Sequence, residues 1–141
     1  MNKRFKNGYT SGVYDLFHIG HLNIFKKSKE LCEHLIVGVS TDEVVIKNKH
    51  KTPVIPFEER FEIVSSIKYV DEVIPQKAYD IEGKIEIVKK YDIDVIFVGS
   101  DWQGTEKWNK LERKLKEINC AVIYLPHTDG ISSTILKEKI K

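Results

Sequence analysis

Cysteine is scarce in this 141-residue chain, which carries only Cys32 and Cys120. Two residues that far apart exclude a disulfide-stapled scaffold and fit no zinc-ligand spacing. Buried, reduced thiols are the expectation. Arginine is scarcer than the charge suggests, with Arg4, Arg60 and Arg113 the only three among 23 basic residues. The lysines are expected to cover solvated helix faces. A net charge of +2 gives no ground for wholesale nucleic-acid binding. No apolar run approaches the ~20 residues of a spanning helix. Met1 to Arg4 lead into strand-like sequence without a signal-peptide core. No nucleic-acid or membrane partner and a cytoplasmic location are the expectations. There is no internal repeat, low-complexity tract or linker, so residues 1–141 are read as one domain.

What is present is an alternation of strand and helix. Apolar runs at about Gly8–Val13, Leu35–Val39, Glu72–Ile74, Val95–Val98 and Ala121–Leu125 predict five strands. Between and after them, helices are expected from His18 onward (Leu22, Phe25 and Leu31 on one face), over Phe57–Ile67, Ile81–Tyr91 and Thr105–Glu117, and over Ser132–Lys141. Asp42 to Lys51 is read as a polar loop, punctuated by Pro53 and Pro56. The pattern implies an α/β fold, a five-stranded parallel sheet with helices on both faces. Such sheets bind ligands beyond the carboxyl ends of their strands. Three segments fall there: Gly12–His21, Gly99–Trp102 and His127–Thr134.

The first segment carries the strongest signal, His18-Ile19-Gly20-His21 at a strand-to-helix turn. Gly20 lets backbone approach a ligand. His18 and His21 lie about one helical turn apart and can point at one place, where imidazoles donate to phosphate oxygens. The bland alternative is a pair of histidines that cap a helix. Asp15 could orient a histidine or contact a sugar or acceptor hydroxyl. Lys47 and Lys49 could fold over a phosphate, or be solvated lysines. Arg60 could pair with Glu59 or Glu62. Ser132, Ser133 and Thr134 offer hydroxyls at the start of the last helix, where a plain cap would need only one.

With Asp15-Leu16-Phe17-His18-Ile19-Gly20-His21, the chain resembles the nucleotidyltransferase superfamily marked by His-x-Gly-His, and within it the cytidylyltransferases. Ser40-Thr41-Asp42-Glu43 followed by Lys47 and Lys49, then Glu59-Arg60, Lys68-Tyr69-Val70-Asp71-Glu72-Val73, Gly99-Ser100-Asp101-Trp102, and Thr128-Asp129-Gly130-Ile131-Ser132-Ser133-Thr134 match further family motifs in order. The resemblance implies a Rossmann-like domain that joins CTP to a small phosphorylated alcohol, sn-glycerol 3-phosphate first, giving CDP-glycerol and pyrophosphate. Phosphocholine, phosphoethanolamine or another polyol phosphate are alternative acceptors. An adenylyltransferase, or a nucleotide-binding module without turnover, are alternative activities.

By the same resemblance His18, His21, Lys47 and Lys49 are catalytic, and Asp15 and Lys47 hold the acceptor. Gly12, Val13, Tyr14, Gly20, Arg60, Gly99, Asp101, Trp102, His127, Thr128, Gly130, Ile131, Ser132, Ser133 and Thr134 are expected around the nucleotide. Mg²⁺ would enter on the nucleotide phosphates, with no dedicated protein ligands, and a homodimer is expected. Two departures stand out. His127 replaces the family's usual arginine, losing a bidentate fork. Val13 replaces a common threonine.

Overall fold

The computed structural model describes residues 4–126, 128 and 133–140. The strands are β1 (Phe5–Gly12), β2 (Cys32–Ser40), β3 (Glu72–Gln76), β4 (Val95–Gly99) and β5 (Ala121–Leu125). The helices are α1 (Ile19–Leu31), α2 (Asp42–Lys49), α3 (Phe57–Ser65), α4 (Ile81–Lys90), α5 (Glu106–Glu117) and α6 (Ser133–Lys139). Ser100–Trp102 form a single 3-10 turn after β4. The sheet runs β3-β2-β1-β4-β5, and every pair in it is parallel. No helix among the described residues is long and apolar enough to cross a membrane.

Alternate residues of the strands supply two cores, which is why the strands read as near-continuous apolar runs. Tyr9, Ile36 and Ile96 face Val88 of α4 and Trp108, Leu111 and Leu115 of α5. Leu35, Val37, Val95 and Phe97 face Phe25 of α1 and Val64 of α3. Leu111 and Leu115 are completely buried, and such burial contributes roughly 1.5–3 kcal/mol per side chain. Gly38 keeps β2 free of a side chain where the Tyr9 hydroxyl passes; any Cβ there would collide with it. That hydroxyl donates to Gln76 Oε1 at 2.7 Å, tying β1 to β3 across β2.

The expected loop at 42–51 is instead helix α2 over most of its length. Thr41 caps it, its hydroxyl accepting the Val44 N–H at 3.3 Å. Asp42 and Glu43 lie in the first turn and Lys47 and Lys49 in the last, charges that complement the helix dipole. Val44 and Val45 anchor it to the core. It stops at His50, whose φ of 56° is left-handed. Pro53 and Pro56 follow that stop, so they interrupt nothing.

Sheet topology places the site. The chain moves outward from β1 through β2 to β3, then crosses back to lay β4 on the other side of β1. Strands β1 and β4 pair only at Gly8–Val95 and Tyr9–Ile96. Beyond that register they part, and a crevice opens at the switch point, as such sheets require.

Candidate active site

The turn after β1 is held in a costly conformation. Tyr14 and Leu16 have φ of 57° and 50°, a region that costs a non-glycine residue roughly 1–2 kcal/mol. Packing and hydrogen bonds hold it there. The Tyr14 ring is buried against Phe25 at 5.1 Å and meets His21 edge-on at 5.4 Å. Gly12 gives the ring room, because an added Cβ would lie 3.0 Å from it, a tight contact that would press on the ring. Tyr14 thus supports His21 from below and also lines the cleft beside it.

Two charged residues expected to meet substrate do structural work at this turn. Arg60 is fully buried. It donates to the carbonyls of Ile55, Val13 and Ser40 and to Asp42 Oδ1, at 2.6–2.8 Å. Its guanidinium fork is spent on the protein, so Arg60 positions the Val13 carbonyl instead of reaching a nucleotide, and its acidic partner is Asp42 rather than Glu59 or Glu62. The carboxylate of Asp15, 5% exposed, accepts the N–H groups of Val54 and Ile55 at 2.8 and 2.9 Å. Lys137 Nζ lies 3.4 Å from the same carboxylate. Burial alone would raise the Asp15 pKa; those N–H groups and Lys137 outweigh it and hold the value below the usual carboxylate range. Asp15 anchors the 50–56 segment, and both its oxygens are already accepting.

The histidine pair is both a cap and a chemical group. His18 is the N-cap of α1, and its Nδ1 accepts the Gly20 N–H at 3.0 Å. The His18 N–H in turn donates to His21 Nδ1 at 3.1 Å. The rings stack, centroids 3.9 Å apart at 26°. Because each Nδ1 is an acceptor, each neutral ring carries its proton on Nε2. Burial lowers the pKa of both, and burial plus the neighbouring His18 pushes His21 down to about 4. At neutral pH the pair is therefore two uncharged Nε2–H donors locked in one orientation.

Three hollows meet around Val13, which lines each of them. One, of about 300 Å³, contains His18, Gly20, His21, Gly99, Trp102, Thr128 and Ser133. A second, of about 250 Å³, contains His21, Lys49, Lys51, Ser133, Thr134 and Lys137. The third, of about 240 Å³, lies on the other side of β1 and contains Tyr79, Lys84, Trp102, Lys107 and Trp108 as well as Lys49. The early and late turns of the chain thus share a cleft. Two hydrogen bonds fasten them: Asn23 Nδ2 to Thr128 Oγ1 at 2.8 Å and Ser133 Oγ to the Asp15 carbonyl at 2.5 Å. His127, Gly130, Ile131 and Ser132 lie outside the described residues.

The lysines sort differently from expectation. Residues 47 and 49 are two apart on a helix, about 200° around its axis. Lys49 enters the cleft, and Lys47 is exposed and lines none of the three hollows. Partial desolvation and the nearby Lys51 and Lys137 hold the Lys49 pKa below its ordinary value. Lys51 and Lys137 were not among the sequence candidates. Lys137 was findable, lying four residues after Ser133 and so on the same helix face; Lys51 lies just past a helix end that the sequence did not disclose. Trp102 is 54% exposed at the cleft, and Gly99 has open space where a Cβ would stand. Asp101 is exposed and lines none of these hollows. The Lys68–Val73 motif is a tether: Asp71 Oδ2 accepts the Leu35 N–H at 2.7 Å and Lys29 Nζ at 2.6 Å.

A parallel sheet with phosphate-donor groups at its switch point defines a nucleotide-handling protein. Residues 9–139 match the family profile described as cytidylyltransferase-like, and the chain belongs to that family. It is 44% identical over 133 residues to the glycerol-3-phosphate cytidylyltransferase of Bacillus spizizenii, covering 94% of this chain and 95% of that one. It is 41% identical over 118 residues to the FAD synthase of Pyrococcus horikoshii, covering 82% and 77%. Among solved structures, a lipopolysaccharide core biosynthesis protein from Thermoplasma volcanium superposes with a TM-score of 0.68 at 27% identity, over 87% of this chain and 96% of that one.

Proposed function

We propose that this chain transfers the CMP part of CTP to sn-glycerol 3-phosphate, releasing CDP-glycerol and pyrophosphate. The observation that carries the reading is the meeting of three hollows at Val13: a neutral histidine pair, a lysine cluster and an aromatic hollow. A reaction joining a nucleotide to a second phosphate needs three such places. The nucleoside and α-phosphate take the histidine hollow. The β- and γ-phosphates take the hollow of Lys49, Lys51, Lys137 and Ser133. The acceptor enters from the aromatic side.

An oxygen of the acceptor phosphate attacks the α-phosphorus, and the bond to the β-phosphate bridging oxygen breaks. That nucleophile is already anionic, so the protein supplies neither a general base nor a covalent intermediate. The His18 and His21 Nε2–H groups donate to the α-phosphoryl oxygens, fixed beforehand by their Nδ1 bonds. The lysines offset the charge of the departing pyrophosphate, in a chain that has His127 where the family has an arginine. Mg²⁺ would enter with the nucleotide and would supply charge neutralisation there, while Asp15 is committed to Val54 and Ile55. A homodimer, by family resemblance, and a cytoplasmic location belong to the same reading.

The test is pyrophosphate release with CTP and Mg²⁺ across sn-glycerol 3-phosphate, phosphocholine, phosphoethanolamine and other polyol phosphates. A parallel arm with ATP and FMN addresses the similarity to FAD synthase. Turnover is expected with CTP and sn-glycerol 3-phosphate. Preference for ATP and FMN, or CTP binding without turnover on any acceptor, overturns the reading.

A further inference from the structure

Lys84 is the most deeply buried of the cleft lysines, at 8% exposed, and it belongs to the aromatic hollow. Lysine is almost never buried without a partner. Here its Nζ sits 5.6 Å from the Trp108 ring centroid, and among the described residues it forms no ion pair and no hydrogen bond. Asp80, the N-cap of α4, is the acid that acts favourably on it, and its carboxylate accepts the Gly83 N–H at 2.9 Å. Burial and the nearby Lys107 lower the Lys84 pKa to about 8. The Nζ keeps a narrow opening to the hollow, and an ammonium so largely desolvated without a counter-ion gains from an incoming anion. The rest of the hollow agrees in sign: Lys49 and Lys107 line it, and no carboxylate does.

We propose that Lys84 is the acceptor-specificity residue: its ammonium is the counter-charge for the acceptor phosphate, and the all-cationic hollow rejects acceptors that carry an ammonium group of their own. The proposal rests on the assignment of this hollow to the acceptor. It commits the chain to phosphorylated neutral polyols and against phosphocholine and phosphoethanolamine. The Trp108 and Trp102 faces alone could have suited a quaternary ammonium; three lysines beside them with no acid reverse that preference.

The Lys84→Met variant removes the charge and keeps much of the stem, so its melting temperature should hold or rise. Its KM for sn-glycerol 3-phosphate should rise at least about tenfold, the loss of one charge-assisted contact. Its KM for CTP should stay within about twofold. Lys84→Arg should recover part of the acceptor KM. The ratio of phosphocholine use to sn-glycerol 3-phosphate use should increase in Lys84→Met. A folded Lys84→Met enzyme with unchanged acceptor KM, or with CTP KM raised equally, overturns the proposal. A second measurement does not need turnover. The ¹³Cε resonance of Lys84, assigned by its loss in Lys84→Met, is titrated in the wild-type protein with and without sn-glycerol 3-phosphate. Its pKa should climb when the phosphate binds and stay put with choline; an unmoved pKa with sn-glycerol 3-phosphate also overturns the proposal. If the wild-type chain turns over no acceptor yet this pKa still climbs, the catalytic reading has failed and the anion site has not.

Discussion

The two sides of β1 treat their charges in opposite ways. On the histidine side the polar groups are committed before substrate arrives: His18 and His21 accept backbone N–H groups, Asp15 accepts two, and Arg60 donates four times. On the aromatic side Lys84 is buried over Trp108 with no acidic partner in contact among the described residues. The first arrangement fixes geometry; the second stores an unmet demand for an anion. A phosphoryl-transfer site needs both, because positioning does most of the catalytic work and selectivity needs a group that only the right ligand satisfies.

The largest effect should come from the committed side. His18→Ala or His21→Ala should lower turnover by ~10²–10⁴-fold, measured as pyrophosphate release. Each also removes half of the α1 cap, costing about 0.5–2 kcal/mol of stability in a melt. Near-wild-type rates in both would move catalysis away from this side. Arg60→Met comes next. It leaves three carbonyls and Asp42 Oδ1 without their buried donor, while Asp42 Oδ2 keeps the Phe57 N–H, and should destabilise by about 2–4 kcal/mol in denaturant unfolding. A variant that melts normally yet loses only nucleotide affinity would return Arg60 to substrate contact.

A smaller effect separates the lysines. Lys49→Ala and Lys51→Ala should each cost about 10–10² in kcat/KM for CTP, while Lys47→Ala should match wild type. Equal losses at all three would mean that α2 turns to present Lys47 when nucleotide binds. The smallest effect is in the pH profile. His21 titrates near 4 in the folded chain against an ordinary 6.5. It therefore stays neutral as pH falls from 7 to 5, and turnover should show no histidine acid limb near 6.5. Stability carries the matching sign. Below 6.5 the unfolded chain takes up a proton at this residue that the folded chain refuses, so stability should decline as pH drops from 6.5 towards 4. An acid limb centred at 6.5 would mean that a working ring keeps its ordinary pKa, and activity falling as pH rises through 6.5 would mean that the working pair includes a protonated ring.

Much of the fold was legible because buried parallel strands carry their signal in single short runs, such as Leu35–Val39 and Val95–Val98. Helix α2 was not read, because its two anchoring residues, Val44 and Val45, make too short a stripe to show periodicity, and the prolines after it drew the reading toward loop. That omission carried straight into the site. Without a helix ending at Lys49, nothing in the sequence distinguishes Lys47, which faces solvent, from Lys49 and Lys51, which line the cleft. The histidine pair and Ser133 were readable from local spacing. Arg60 was not, since a lone arginine looks the same whether it meets a phosphate or three carbonyls.

The strand runs themselves, Gly12 beneath the Tyr14 ring and the histidine cap are all written in residues close together along the chain, and neighbours in sequence interact whatever the rest does. Which charges are spent and which are kept for a ligand depends on distant partners, 39 and 40 residues away for Asp15 and 18 to 47 residues away for Arg60 at Val13, Ser40 and Asp42. Asp15 meets Val54, Arg60 meets Val13, and Lys84 meets Trp108 only after the sheet has assembled. Burial then decides the outcome, because the same side chain is cheap in water and demands a partner once water is gone.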